Sequence, residues 1–205
     1  PHLREAFLQG LRDLGYVEGR NLVIEYRDAE GKLERLPALA AELVSLKVDV
    51  IVAPNTVGAL AAKHATGTLP IVFTVVADPV ASGLVTSLAR PGGNVTGMSN
   101  LSPELVGKCL ELLKQAVPRV TRVAVLWQPD FQGERTEKDT LTRVEVAARA
   151  LGVRLQFVEA RGPADFDRAF SEMARARAGA LTVLTTSMFI SERRRLVDLA
   201  AKNRL

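Results

Sequence analysis

Apolar positions along the chain alternate between two spacings, one near 3.6 residues and one of continuous or period-two runs, and the alternation predicts the elements. Residues 3–14 put Leu3, Ala6, Phe7, Leu11 and Leu14 on one helical face, and Gly15 stops the run. Asn21–Tyr26 sets Leu22, Ile24 and Tyr26 against Val23 and Glu25, the pattern of a short strand. A second helix, 32–46, carries Leu33, Leu36, Leu39, Ala40 and Leu43 inward. Val48–Val52 reads as a buried strand that Pro54-Asn55-Thr56 breaks before a helix over 57–65. The unit recurs: a strand over Ile71–Val76, the breaker Asp78-Pro79, and a helical stretch from Gly83 to Leu88. Pro91-Gly92-Gly93-Asn94 then turns into a strand, Val95–Met98, and Ser102 with Pro103 opens a helix to Val117.

After Pro118 the same grammar restarts. Strands are expected at Val120–Trp127, Val153–Glu159 and Ala180–Leu184, and helices at 136–151, 164–177 and 189–202. Strand, turn and helix in this order make right-handed crossovers over parallel strands. The expected fold class is therefore α/β, with two doubly wound parallel-sheet lobes, residues 1–117 and 118–205. Both ends read as incomplete. The first helix has no strand before it, the last has none after it, and a doubly wound sheet places its first strand at the centre. A fragment of a longer two-lobed protein is the expectation.

Composition narrows the class. Of 205 residues, 47% are hydrophobic and 24% charged, enough to build a core and too apolar for disorder. Aromatics are only 5%, so the core must be Ala, Val and Leu, as in helices packed on a buried parallel sheet. The net charge of +4 comes from interspersed groups and does not imply nucleic acid. A single cysteine, Cys109, excludes an intramolecular disulfide framework. No apolar stretch reaches the roughly 18 residues that span a bilayer.

Candidate chemistry lies in the turns that follow strands, because open parallel sheets bind ligands beyond their carboxyl ends. Asn55 and Thr56 start a helix, where free N–H groups and the dipole favour an anion; Asn55 reads equally as a plain N-cap. Asp78 can receive an ammonium or hydroxyl, although Asp-Pro also begins helices. Thr96 and Ser99 offer hydroxyls around the 95–98 strand. In the second half Trp127 and Gln128 end a strand, and Thr185, Thr186 and Ser187 follow another, one of them free to act as a cap. His2 and His64 lie far apart, with no metal-ligand spacing to other groups. No GxGxxG, Walker lysine loop or GxSxG elbow is present, so no cofactor is expected. Arg193, Arg194 and Arg195 point in different directions from one helix and read as a solvated face.

These residues carry a resemblance. The run DVIVAPNTVGALAAKHATGTLPIVFTVVADPVASGLVTSLARPGGNVTGMS, residues 49–99, resembles the bacterial ABC transporter substrate-binding proteins of the tryptophan/tyrosine-type uptake family. FLQGLRDLGYVEGRNLVIEYR looks like that family's first helix and second strand, and RVAVLWQPD with SMFISERRRLVDLAAKNRL looks like its second lobe. The resemblance implies a type I periplasmic binding protein: two lobes that close on a small organic solute, amino-acid-like or aromatic, and deliver it to an ABC permease and, through it, the transporter ATPase. It implies no enzyme activity and a periplasmic or extracytoplasmic location, with an export signal or lipid anchor outside these residues.

Carried over by position, Asn55 and Thr56 fall in the ligand-cradling turn of the first lobe, Asp78 in an Asp-Pro turn, and Thr96 and Ser99 at a strand end facing the cleft. The sequence departs from the pattern at Gln128, where Asn before Pro is common, and at Thr186, where an acidic residue is common. An ammonium-binding carboxylate is thereby lost from the second lobe. Two alternatives stay open: a cytoplasmic ligand-sensing regulatory domain of the same fold, and an enzyme with Asp78 as general base.

Overall fold

A computed structural model describes the backbone of residues 2–100 and 102–205 and the side chains of residues 4–100 and 105–205. The expected roles of Ser102 and Pro103 in starting a helix, and the side chains of His2 and Leu3, lie outside the described residues.

Two three-stranded parallel sheets organise the chain. The first has β1 (Ile51–Ala53), β2 (Ile71–Ala77) and β3 (Val95–Asn100) in the order β1-β2-β3. Ile51, Ala53, Ile71, Phe73 and Val95 point from one face into a core shared with Ala59 and Ala62 of α3 (Thr56–Ala65). Leu43 and Val44 of α2 (Leu36–Ser45) pack against the same cluster. On the other face, Val52 is 44% and Met98 66% exposed. The β2–β3 ladder breaks register between Phe73 and Val76, opposite Gly97, which sits at φ 156°. Beyond the break Val76 pairs with Ser99 and Ala77 with Asn100, so the irregularity sets the alignment of the two carboxyl ends.

The second sheet has β4 (Arg122–Trp127), β5 (Arg154–Glu159) and β6 (Ala180–Val183) in the order β5-β4-β6. Its central strand β4 is apolar from Val123 to Trp127 because both faces are covered. Val123 and Val125 join Leu110 of α4 (Ser102–Ala116) and Val144 and Ala148 of α5 (Glu134–Ala150). Ala124 and Leu126 join Phe166, Phe170 and Met173 of α6 (Phe166–Arg175), Phe189 of α7 (Ser187–Ser191) and Leu196 of α8 (Arg193–Asn203). The chain leaves β4 for one neighbour and later returns to its other side. With right-handed crossovers this places α5 and α6 on opposite faces.

Three expectations need correction. Asn21–Tyr26 forms no ladder; Leu22 makes one isolated bridge to Glu18, and Val23 is 80% exposed. A strand needs a neighbour for its N–H and C=O groups, and no described strand lies beside this one. The segment, with α1 (His2–Asp13), is held by Arg4 over the Tyr26 ring at 3.9 Å and by an Arg27–Glu42 ion pair at 2.8 Å. Gly83–Leu88 is not a helix either. One helical turn from Pro79 is closed by Gly83 at φ 76°, with Leu84 N–H on the Pro79 carbonyl and Gly83 N–H on that of Val80, a Schellman arrangement. The expected last helix is split at Glu192 into α7 and α8.

α4 packs on the second sheet: its Leu110 is buried in that sheet's core, and a Cβ on Gly107 would lie 3.4 Å from Ala147 of α5.

Candidate functional site

The carboxyl ends of β1 and β2 carry the first group of expected residues. Asn55 is extended and caps α3, its Oδ1 accepting from Gly58 N–H at 2.8 Å, and Thr56 behind it is buried. Asp78 follows β2 at φ 47°, and its Oδ1 accepts from Ala81 N–H at 2.8 Å. Both residues therefore spend one side-chain oxygen on the local backbone, the structural role each was equally suited to. Lys63, in the last turn of α3, donates to the Gly83 and Leu84 carbonyls at 2.6 and 3.1 Å, which fastens the turn after β2 to the helix after β1.

Thr96 and Ser99 are both exposed, and the structure separates them. Ser99 pairs with Val76 near the carboxyl end, whereas Thr96 pairs with Val72 near the amino end. At about 3.3 Å per residue, Thr96 lies roughly 13 Å short of the strand's tip. It is not part of the group at the carboxyl ends, contrary to the expectation of a strand end facing a cleft.

In the second lobe β4 is the topological switch point, the place where an open parallel sheet leaves a crevice. Trp127 ends β4, packs against the α4–α5 side of the core, and keeps its indole Nε1 buried with no hydrogen-bond partner within the protein. Gln128 follows, its Oε1 likewise buried and unpartnered. Thr186 is buried as the N-cap of α7, accepting from Phe189 N–H at 3.3 Å, while Thr185 and Ser187 are exposed.

Two further groups escaped the sequence reading. Ser82, in the turn after β2, and Thr136, in the first turn of α5, each have a buried hydroxyl without a partner. Among the described residues five buried side-chain polar atoms lack a partner. Ser82, Trp127, Gln128 and Thr136 supply four, all in or just after a carboxyl end; the fifth is on Gln156. No motif marks Ser82 or Thr136, because an unmet hydrogen bond is a property of the folded surroundings.

Gly133, at the start of α5, lies beside α3: a Cβ built there would be 3.7 Å, an ordinary contact distance, from Leu60 Cδ1. Charges border the second lobe's tip. Arg161, after β5, pairs with Asp130, after β4, at 2.6 Å, and this hydrogen bond raises the guanidinium above its ordinary pKa. Glu137 accepts from Asp130 N–H and Gln132 N–H at 3.1 and 2.8 Å and so shapes the loop between β4 and α5. Asp165 accepts from the N–H groups of Arg161 and Gly162 at 2.8 and 3.3 Å; chiefly the first holds its carboxyl below the usual carboxylate range.

Among the described residues no group of three or more His, Cys, Asp or Glu side chains is placed to hold a metal ion. No helix of the described residues is long and apolar enough to cross a membrane. The arrangement offers hydrogen-bond donors and acceptors in the turns that follow the strands of both sheets.

Comparison with known proteins gives a consistent answer. Residues 2–205 match the family described as ABC transporter substrate binding protein. A tyrosine-binding protein of Clostridioides difficile (strain R20291) is 36% identical over 138 residues, 67% of this chain and 39% of that one. A solved conserved domain protein from Vibrio cholerae superposes with a TM-score of 0.85 at 32% identity, over 98% of this chain and 66% of that one. An ABC domain in complex with L-Trp from Streptococcus pneumonia has a TM-score of 0.79 at 23% identity, over 97% and 65%, a likeness of fold. The chain thus spans just under two thirds of the length of these solved relatives.

Proposed function

The chain belongs to the ABC transporter substrate-binding protein family, and from that premise we propose that it is the solute-binding component of an uptake transporter. In this reading residues on both lobes grip a small organic solute, amino-acid-like or aromatic, without transforming it, and present it to a membrane permease linked to an ATPase. The protein works in the periplasm or another extracytoplasmic space.

The observation that carries the reading is where the unpartnered buried polar atoms fall: among the described residues, Ser82 follows β2, and Trp127, Gln128 and Thr136 end or follow β4. A buried unmet donor or acceptor costs about 1–3 kcal/mol, and groups of this kind in the turns after strands are suited to be met by a solute. They come from both lobes, which closure requires. A ligand shifts an open–closed equilibrium only by its difference in affinity for the two states, and contacts with both lobes create that difference. Asn55, Thr56, Asp78, Ser99, Trp127, Gln128 and the 185–187 turn form the proposed binding set, with the boundary between lobes ahead of α4.

The test is thermal shift and calorimetry against a panel of amino acids, aromatic acids and hydroxy acids. A bound solute at a hundred times its Kd should stabilise the chain by about 2.7 kcal/mol. No stabilisation by any member of the panel, or turnover of a solute that Asp78→Asn abolishes, would overturn the proposal.

A further inference from the structure

We propose that the outer face of α4 is a self-association surface, on which a second copy of this chain lays its own α4 antiparallel about a twofold axis between Cys109 and Leu110. The surface uses none of the residues proposed to bind solute, so the receptor reading does not depend on it.

The argument starts from the two sides of the helix. Leu110 is buried in the second sheet's core, with Val106 and Leu113 packed against the same cluster. A helix anchored by one apolar face is ordinarily polar around the rest of its surface. Here Leu105 is 53% and Leu112 52% exposed, and Cys109 and Ala116 are exposed beside them. Positions 105, 109, 112 and 116 follow one another at intervals of four, three and four, the spacing of a seam between helices packed lengthwise. At 1.5 Å per residue this second apolar stripe runs for about 16 Å.

The charges beside the stripe select its occupant. Lys108 and Glu111 pair with each other at 2.9 Å, with 56% and 41% of their side chains exposed, and Glu111 also accepts from Gln115 Nε2 at 3.2 Å. Cation before anion is the weaker order within a single helix. A twofold axis midway between the two residues reverses that order in the second copy, so Lys108 of each chain faces Glu111 of the other. A parallel pairing would set lysine against lysine and glutamate against glutamate, which is repulsive. The same axis passes half a residue from Cys109, so the two thiols are offset by only about 1.5 Å along the helices. Helices packed 8–10 Å apart bring facing Cα atoms to on the order of 5 Å, within the range a disulfide spans. One helix from each chain buries less than the roughly 1,200 Å² of a standard interface, so the association is weak and depends on concentration.

The test is sedimentation equilibrium on the full chain over a concentration series, with diamide trapping as a second readout. The mean mass should rise from that of one chain toward that of two. Diamide, which takes up the two hydrogens lost by a pair of thiols, should then link the chains through Cys109. Glu111→Lys and Lys108→Glu each set like charges across the axis and should weaken the dimer about tenfold or more and suppress the trapped species. The double variant Lys108→Glu/Glu111→Lys restores opposite charges and should recover both, with all three melting as the parent does. A dimer undiminished in the single variants, or not recovered in the double one, overturns the antiparallel pairing on α4. A chain that stays monomeric throughout overturns the second copy as occupant, whether Cys109 is open to maleimide, and the stripe bare, or closed to it, and the stripe covered by the chain's own residues.

Discussion

Alanine at position 97 should unfold the first lobe's carboxyl edge. Gly97 has φ 156°, and a Cβ built there would overlap the Phe73 carbonyl oxygen and lie 2.6 Å from the Phe73 ring. Neither obstacle can yield cheaply. The carbonyl belongs to the neighbouring strand at the register break, and the ring is 3% exposed in the core with Ile51, Ile71 and Val95. Holding alanine at a backbone conformation reserved for glycine costs about 1–3 kcal/mol, and forcing an extra carbon into a packed core about 1–3 more. The sum of about 4 kcal/mol is a large part of the 5–15 kcal/mol that keeps a typical domain folded. With a urea slope of about 2–3 kcal/mol per molar, the midpoint should fall by about 1.5 M. Gly93→Ala is the control, since Gly93 has ordinary φ and nothing within 4 Å of a Cβ, and it should stay within about 0.5 kcal/mol of the parent. Equal urea midpoints for the two variants would refute the claim that β2 and β3 approach too closely here for any side chain. Because the break aligns Val76 with Ser99, Gly97→Ala should also weaken binding in the proposed receptor, whose suggested site includes Asp78 and Ser99.

Three other perturbations follow from the same geometry. Lys63→Met removes both bonds to the turn after β2 and should cost about 1–2 kcal/mol, with faster amide exchange at residues 82–85 as the local readout. Phe166→Ala empties a site that is 0% exposed and 6.0 Å, centroid to centroid, from the Phe189 ring; it should lose about 3–5 kcal/mol in chemical denaturation. Asp165 has a depressed pKa in the folded chain, so its stabilisation is complete above the unfolded value and disappears as pH falls through the folded one. Amide exchange at Arg161 and Gly162 should accelerate over that acidic range in the parent, and Asp165→Asn should show fast exchange with no such step.

Much of the fold could be read from residue order. The run Val123–Leu126 announces a strand covered on both faces, and Asn55 before a helical pattern announces a cap; both are properties of neighbouring residues. Where the reading failed, the missing term was tertiary. Leu22, Ile24 and Tyr26 alternate as a strand should, but alternation cannot supply the neighbour a ladder needs. The 83–88 stretch has helical composition, yet Gly83 ends a turn there instead of beginning one. Leu110 marks an apolar face on α4 without saying which sheet that face will meet. At the candidate site the turns after β1, β2, β4 and β6 were legible from topology alone, whereas Thr96 was placed at the wrong end of its strand. Ser82 and Thr136 were invisible, since serine and threonine are commonplace and only folding shows which hydroxyl is left without a partner.

The proximity of Gly133 to Leu60 has a consequence for the receptor proposed above. There, the start of α5 beside α3 would act as a mechanical stop for the two jaws and set the smallest gap between them. Position 133 cannot readily adjust it, because a residue at φ 85° is all but restricted to glycine. Position 60 can, and trimming leucine to valine or alanine there would let the jaws travel further. In the proposed receptor, guest size would therefore be adjustable from the helix of one lobe alone.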